Sequence, residues 1–281
     1  MKLDHLIYGT FPDLPGSQQV VYRSSGIPSE FESWLIQQYD QFGDCKTEDF
    51  RSSLTLQWYR ETESPVAVLT KVTHAGQDFS GRWGALLRHS AIITPKQMQS
   101  LYYDVSPVAA HLVATGSAEQ LAQSGDLEIE VPNSPDYLVD EVLALNLEHY
   151  RSNLKRLLCG ERLVLYADLN TAHLNRYLRN LLLLMPLQIR ASLNWSEFVF
   201  HSLETLDLSI VHSSRYAAPE GDTVEFQADG DNSLGDLSIS SEAADDYIAN
   251  LAQQLEESNR EKLAALFTQV EIADQPESAG D

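Results

Sequence analysis

Apolar positions along this chain recur at two periods, and each change of period marks a change of element. Leu3, Leu6 and Ile7 lead into Tyr8-Gly9, and a second apolar stretch, Val20-Val21-Tyr22, follows the loop TFPDLPGS. Both read as strands joined by that loop. Pro28 suits the first residue of a helix, with Glu30 in its first turn. Phe31, Leu35, Tyr39 and Phe42 then repeat at helical spacing until Gly43. SLTLQWYR and PVAVLTKVTH alternate or carry β-branched residues, with ETES as a turn between them. ALLRHSAIIT follows Gly81-Arg82-Trp83-Gly84, which reads as a hairpin turn. This block predicts an antiparallel sheet with one or two helices. Short helical pieces are expected from Pro95 to Tyr103 and from Pro107 to Gln123, with DLEIEV a further short strand.

The strongest helical pattern opens at the cap pair Asn133-Ser134, with Pro135 as first residue. Leu143, Leu147, Tyr150, Leu154 and Leu158 form its stripe, and Gly160 ends it, which predicts one helix over about 134–158. ERLVLYAD reads as a strand, Thr171 to Pro186 as a second helix, and EFVFHS and LDLSIVHS as strands. Ser241 to Val270 carries an amphipathic pattern, either one long helix or a pair broken near Ser258-Asn259. The fold class is therefore α+β. It comprises a largely antiparallel sheet with packed helices, a helix-strand-helix block in the second half, and a C-terminal amphipathic helix or helix pair. The expected organisation is an N-terminal sheet region over 1–131 and the helix-strand-helix-strand block over 132–215. An acidic linker or loop over 216–240, a helical segment over 241–270 and a disordered tail over 271–281 complete it.

Charge sharpens the picture at the C-terminal end. The 281 residues carry 41 acids against 19 Lys and Arg, a net −22, and from Tyr216 onward there are sixteen acids against two bases. Pro219 to Asp236 consists largely of turn formers and carboxylates, with too little apolar content to offset its ordering entropy. So acidic a chain disfavours unaided binding to nucleic acid or anionic lipid. No apolar run reaches the length of a membrane span. Cys45 and Cys159 form no Cys-x-x-Cys and no disulfide framework, so a reduced cytoplasm is expected.

Motifs that carry chemistry are missing. The chain has no Walker loop, no dinucleotide-binding Gly pattern, no H-E-x-x-H and no nucleophile elbow. Asp229, Asp231 and Asp236 lack the Gly and closing Glu of a calcium loop. Asp44 and Glu48 would raise the Cys45 thiol pKa, and Cys159 ends a helix, where an anion is disfavoured. His89 and His111 read as core histidines satisfied by backbone carbonyls. No cofactor and no metal are expected. An enzyme remains open only through a carboxylate or histidine site assembled in space, such as that of a hydrolase.

Several stretches, in order, resemble the N-terminal domain of bacterial GTPase-associated proteins, predicted accessory proteins of conflict and defence systems. They are IYGT with QQVVYRSSGIP, then GRWGALLRHSAIIT, then the helix ending in Leu-Pro before Arg190 in LVLYADLNTAHLNRYLRNLLLLMPLQIRASLNWSEF. The likeness spans about residues 3 to 212; the Gly-His pair expected in the second strand is absent. It marks Tyr8, Gly9, Ser25, Gly26, Arg82, His89 and Arg190. Gly9 and Gly26 would supply backbone freedom, and Arg190 would cap or pair inside the fold. The resemblance implies a non-catalytic adaptor or accessory subunit whose partner is a small GTPase, an AAA-type ATPase or an effector subunit. On the residues alone, Leu251, Leu255, Leu263, Leu266 and Phe267 form a stripe suited to docking in a partner's groove. The same stripe suits packing on this chain's own sheet slightly better.

Overall fold

A computed structural model describes residues 1–16, 18–42, 50–60, 65–201, 203–217, 224–229 and 235–268. Gly43, Cys45, Asp231 and the tail over 271–281 lie outside them, as do the ETES turn and residues 218–223 and 230–234 of the acidic stretch.

The described residues form one mixed sheet with helices packed on it, an α+β fold. The first half supplies β1 (Lys2–Gly9), β2 (Gln19–Arg23), β3 (Ser52–Tyr59), β4 (Val66–Gln77) and β5 (Trp83–Ile93). The second half supplies β7 (Leu163–Ala167), β8 (Trp195–Val199), β9 (Leu208–His212) and β10 (Gln227–Ala228). The order across the sheet is β10-β7-β9-β8-β3-β4-β5-β1-β2, and β6 (Leu127–Glu128) pairs with the start of β1. Pairing is antiparallel except where β9 lies parallel to both β7 and β8. The two halves therefore share one sheet, joined where β3 meets β8.

That joint is short in ladder terms, with Thr55 opposite Ser196 and Leu56 opposite Trp195. Side chains extend it. The Ser53 hydroxyl donates to the Phe198 carbonyl at 2.7 Å and accepts from its N–H at 2.9 Å, and the Thr55 and Ser196 hydroxyls pair at 2.8 Å. Each buried hydroxyl is thus satisfied, which burial demands.

On one face lies α1 (Ser29–Gln41), whose Phe31 and Leu35 pack against Leu6, Tyr8, Tyr59 and Val68. The other face carries most of the helices. Two short ones, α2 (Pro95–Ser100) and α4 (Ala118–Ala122), open with complete capping boxes, Thr94 with Gln97 and Ser117 with Gln120. Between them lies α3 (Ser106–Ala109), and α7 (Ala172–Leu183) and α8 (Leu187–Arg190) follow later. The LLLLM run at the end of α7 is buried throughout, in keeping with its apolar residues on every side.

The stripe predicted as one helix over 134–158 is instead divided. Its parts are α5 (Asp136–Leu143), a 3₁₀ turn (Leu147–His149) and α6 (Arg151–Leu158). Asn146 causes the break: its extended backbone and its side-chain oxygen, which accepts from the Glu148 N–H at 3.2 Å, start a new helical segment. Leu147, Tyr150, Leu154 and Leu158 are still buried, because the chain resumes on the same side.

The acidic stretch also departs from a wholly solvated linker. Val224 and Phe226 are 1% and 3% exposed, and Gln227-Ala228 pairs with β7. Buried Asn153 holds them in place, donating to the Val224 carbonyl at 2.5 Å and accepting from the Phe226 N–H at 3.3 Å. Local composition hid this anchor, whose only trace is the alternation Val-Glu-Phe.

The C-terminal segment is the helix pair α9 (Ser241–Glu256) and α10 (Arg260–Thr268), divided at Ser258, whose φ is +51°. Ala244, Ile248 and Leu251 are buried where α9 meets α6, while α10 lies against α5 and α8.

Candidate functional site

The residues singled out from sequence fall into three settings. Leu251, Leu263 and Phe267 are buried in the core, and Leu255 and Leu266 pack against it. The stripe is therefore internal, and the partner groove imagined for it is the chain's own core. Gly9 and Gly26 serve close approach rather than unusual torsion. A Cβ on Gly9 would stand 2.6 Å from the Leu86 carbonyl oxygen, and one on Gly26 2.6 Å from the Asp4 carboxylate. Ser25 is exposed in the turn it shares with Gly26. Tyr8 is buried, with its hydroxyl donating to Gln18 at 2.6 Å.

His89 belongs to a pair. Its Nδ1 accepts from the Val113 N–H at 2.9 Å, which leaves the proton on Nε2 to donate to His5 Nδ1, also at 2.9 Å. His5 then donates from Nε2 to the Gly125 carbonyl at 2.8 Å. Each ring nitrogen has one role, and both rings are neutral. Burial pushes the His89 pKa down to about 3, helped by His5 and Lys71, and burial lowers that of His5 as well. The relay ties β1 and β5 to the connecting segments at Val113 and Gly125. His111 is different: it is exposed, with Nδ1 beside the Pro107 carbonyl at 2.9 Å.

Arg82 sits at the tip of the β4–β5 hairpin, where the sequence predicts a turn. Asp78 organises that tip, accepting through Oδ1 from the Ser80 and Arg82 N–H groups and the Ser80 hydroxyl, and through Oδ2 from Arg82 Nε. Those bonds, the Ser80 hydroxyl first, hold the Asp78 carboxyl down at about 2. Gly81, at φ +81°, closes the turn. The caged turn presents Phe79 and Trp83, each 58% exposed, and Trp83 stacks on His74 with rings 5.6 Å apart. The sequence reading gives the turn but not the exposure of its two aromatics. The signal was two aromatics within five residues of a polar turn.

A cleft of about 80 Å³ opens between β3, β8 and helices α2, α3 and α7. Leu54, Leu56, Met98, Leu182 and Trp195 supply apolar walls, and Asp104, Arg179, Arg190 and Glu197 supply charge. Arg190 is 5% exposed, with the guanidinium against the Phe267 ring at 4.8 Å. It donates to the Leu183 carbonyl at 3.4 Å and the Leu266 carbonyl at 3.0 Å, near the C-terminal ends of α7 and α10. Its Nε has no hydrogen-bond partner among the described residues. Burial lowers its pKa to about 10, so it stays charged at neutral pH.

Half-buried Glu197 accepts from the Leu54 N–H at 3.0 Å, and burial raises its carboxyl to about 7. A carboxyl so poised can give or take a proton at neutral pH. Asp104 is engaged by the Ser106 N–H and hydroxyl, the Tyr137 hydroxyl and Arg179, and Arg179 also pairs with Glu141. Beside Asp104, Tyr102 and Tyr103 both have positive φ, +53° and +56°, conformations that cost energy for non-glycine residues. Glu197 was legible in one respect, since it is the one charged residue of strand β8.

Comparison with protein-family models, with curated proteins and with solved structures finds no match to this chain. Among the described residues, no three His, Cys, Asp or Glu side chains cluster as metal ligands, and no helix is long and apolar enough to cross a membrane. Cys159 is half-buried, and burial raises its thiol pKa.

Proposed function

We propose that this chain is a non-catalytic adaptor of the bacterial cytoplasm that docks a protein partner through the tip of its β4–β5 hairpin. The observation that carries the reading is the pair Phe79 and Trp83, more than half exposed on a turn fixed by Asp78. Large aromatics held in place before binding are the usual anchors of protein interfaces, since little side-chain entropy remains to be lost. The net charge of −22 selects the kind of partner: a protein socket with an apolar floor and a neutral or basic rim. The resemblance to GTPase-associated proteins narrows it to a small GTPase, an AAA-type ATPase or an effector subunit encoded beside this gene. The test pairs each purified neighbour-encoded protein with the wild-type chain and with a Phe79→Ser/Trp83→Ser double variant. Binding that weakens at least about tenfold in the double variant is expected; undiminished binding refutes the hairpin as the docking element.

A further inference from the structure

The sheet face that carries α1 is only partly covered by it. Leu6, Tyr8 and Val68 are buried against the helix, while Val66 and Ile92, packed on the same cluster, stay half-buried. There a groove of about 590 Å³ opens between the start of α1 and strands β1, β3, β4 and β5. Ile27, Phe31, Tyr59, Val66 and Ile92 give it apolar walls, and its volume is that of a small-molecule site. The groove shares no residue with the docking tip. Val66 and Ile92 lie at one end of the β4–β5 hairpin, and the tip lies between Gln77 and Trp83 at the other.

The charged residues that line the groove are Asp4 and Glu30, with no Lys, Arg or His beside them among the described residues. Both are exposed, and the bases near them in the chain are engaged elsewhere. Lys2, whose charge reaches Asp4, holds Asp126 at 2.6 Å, and Arg23 holds Glu32 at 2.6 Å. Gly26 admits Asp4 to the rim: a Cβ there would stand 2.6 Å from the carboxylate, so glycine lets that oxygen lie against the turn leading into α1. Glu30 follows four residues later, in the first turn of the helix. The N-terminus of α1 weighs the other way, with the equivalent of about half a positive charge. Two full negative charges outweigh it, within a chain of net charge −22.

An anionic ligand is repelled by this rim, and a neutral one leaves the carboxylates to water. An organic cation answers them and covers the apolar walls as well. We propose that this groove binds a small organic amine with an apolar body. Its ammonium group faces Asp4 and Glu30, and its body lies against Ile27, Val66 and Ile92.

Three probes of similar shape test the proposal on the full chain by calorimetry: 4-phenylbutylamine, the neutral 4-phenylbutan-1-ol and the anionic 4-phenylbutyrate. The amine is expected to bind at least about fivefold more tightly than the alcohol, the strength of exposed ion pairs, and the carboxylate more weakly than either. Added salt is expected to weaken the amine and leave the alcohol unchanged. No binding of the amine at about 10 mM, or amine binding no tighter than that of the alcohol, overturns the proposal. A trilysine peptide that binds where the amine does not makes the groove a peptide site and overturns it equally. Two variants place the ligand. Asp4→Asn/Glu30→Gln alters exposed side chains, is expected to fold, and should bring the amine down to the affinity of the alcohol. Val66→Trp fills the groove from a half-buried position and is expected to abolish binding of both. Undiminished amine binding in both folded variants puts the ligand elsewhere and overturns the assignment.

Discussion

Single residues in this chain are constrained in ways that differ sharply between neighbours of the same type. Gly9 and Gly26 both lack room for a side chain, but one faces backbone and the other the end of a mobile carboxylate. Gly9→Ala must displace the β1–β5 ladder and is expected to cost about 1–3 kcal/mol, measured by urea unfolding. Gly26→Ala needs only a turn of the Asp4 side chain and should be close to neutral in the same measurement. The histidine relay makes a second prediction. His5 and His89 are held neutral, so below the ordinary histidine pKa of 6.5 the unfolded chain takes up protons that the folded chain refuses. The relay's contribution is whole above that pH and is lost as pH falls toward about 3. Unfolding free energy measured across this range should fall with acid. A His5→Phe/His89→Leu double variant should be less stable at neutral pH yet show a flatter acid slope.

At the scale of elements, Asn153 decides whether the acidic stretch is anchored. Asn153→Ala leaves the buried Phe226 N–H without its acceptor and the Val224 carbonyl without its donor. A loss of about 1–3 kcal/mol is expected, and proteolysis should begin to cut at residues 224–229, which the intact chain protects. Much of the element pattern was legible beforehand. The Gly81 turn and the helix with Phe31 and Leu35 follow from local punctuation, and the structure takes the second of the two alternatives for the C-terminal segment, a pair divided at Ser258. The break at Asn146 was not legible, because the apolar period runs straight through it and one side-chain hydrogen bond interrupts the helix. Val224 and Phe226 were hidden for the opposite reason. Their neighbours are polar, and the asparagine that seats them lies more than seventy residues away. The cleft shared this difficulty: Arg179, Arg190 and Glu197 come from three separate elements and Asp104 from a connecting segment, and only folding assembles them.

The molecule as a whole depends on its last two helices. Tyr247 of α9 donates to the Leu184 carbonyl at 2.8 Å, Arg260 of α10 pairs with Asp140 at 2.6 Å, and Leu263 and Phe267 sit in the core. Ending the chain after Arg215 removes all of these, together with Val224 and Phe226. The truncated protein is expected to aggregate or lose its near-ultraviolet dichroism. A soluble product with native dichroism would mean that the helices add little to the core. Phe267→Ala alone should cost about 3–5 kcal/mol.

The joint between β3 and β8 has a further consequence while the chain is being made. Thr55 and its partner Ser196 are 141 positions apart, so β3 waits for its neighbour long after β4 and β5 have been synthesised. Translation at about 5–20 residues per second makes that wait on the order of ten seconds. Throughout it, the strand that ends in the middle of the sheet is an open edge bearing Leu54, Leu56 and Trp58, the kind of edge on which nascent chains pair wrongly. Chaperone occupancy during synthesis should therefore peak after Tyr59 has left the ribosome and fall once Val199 has followed it.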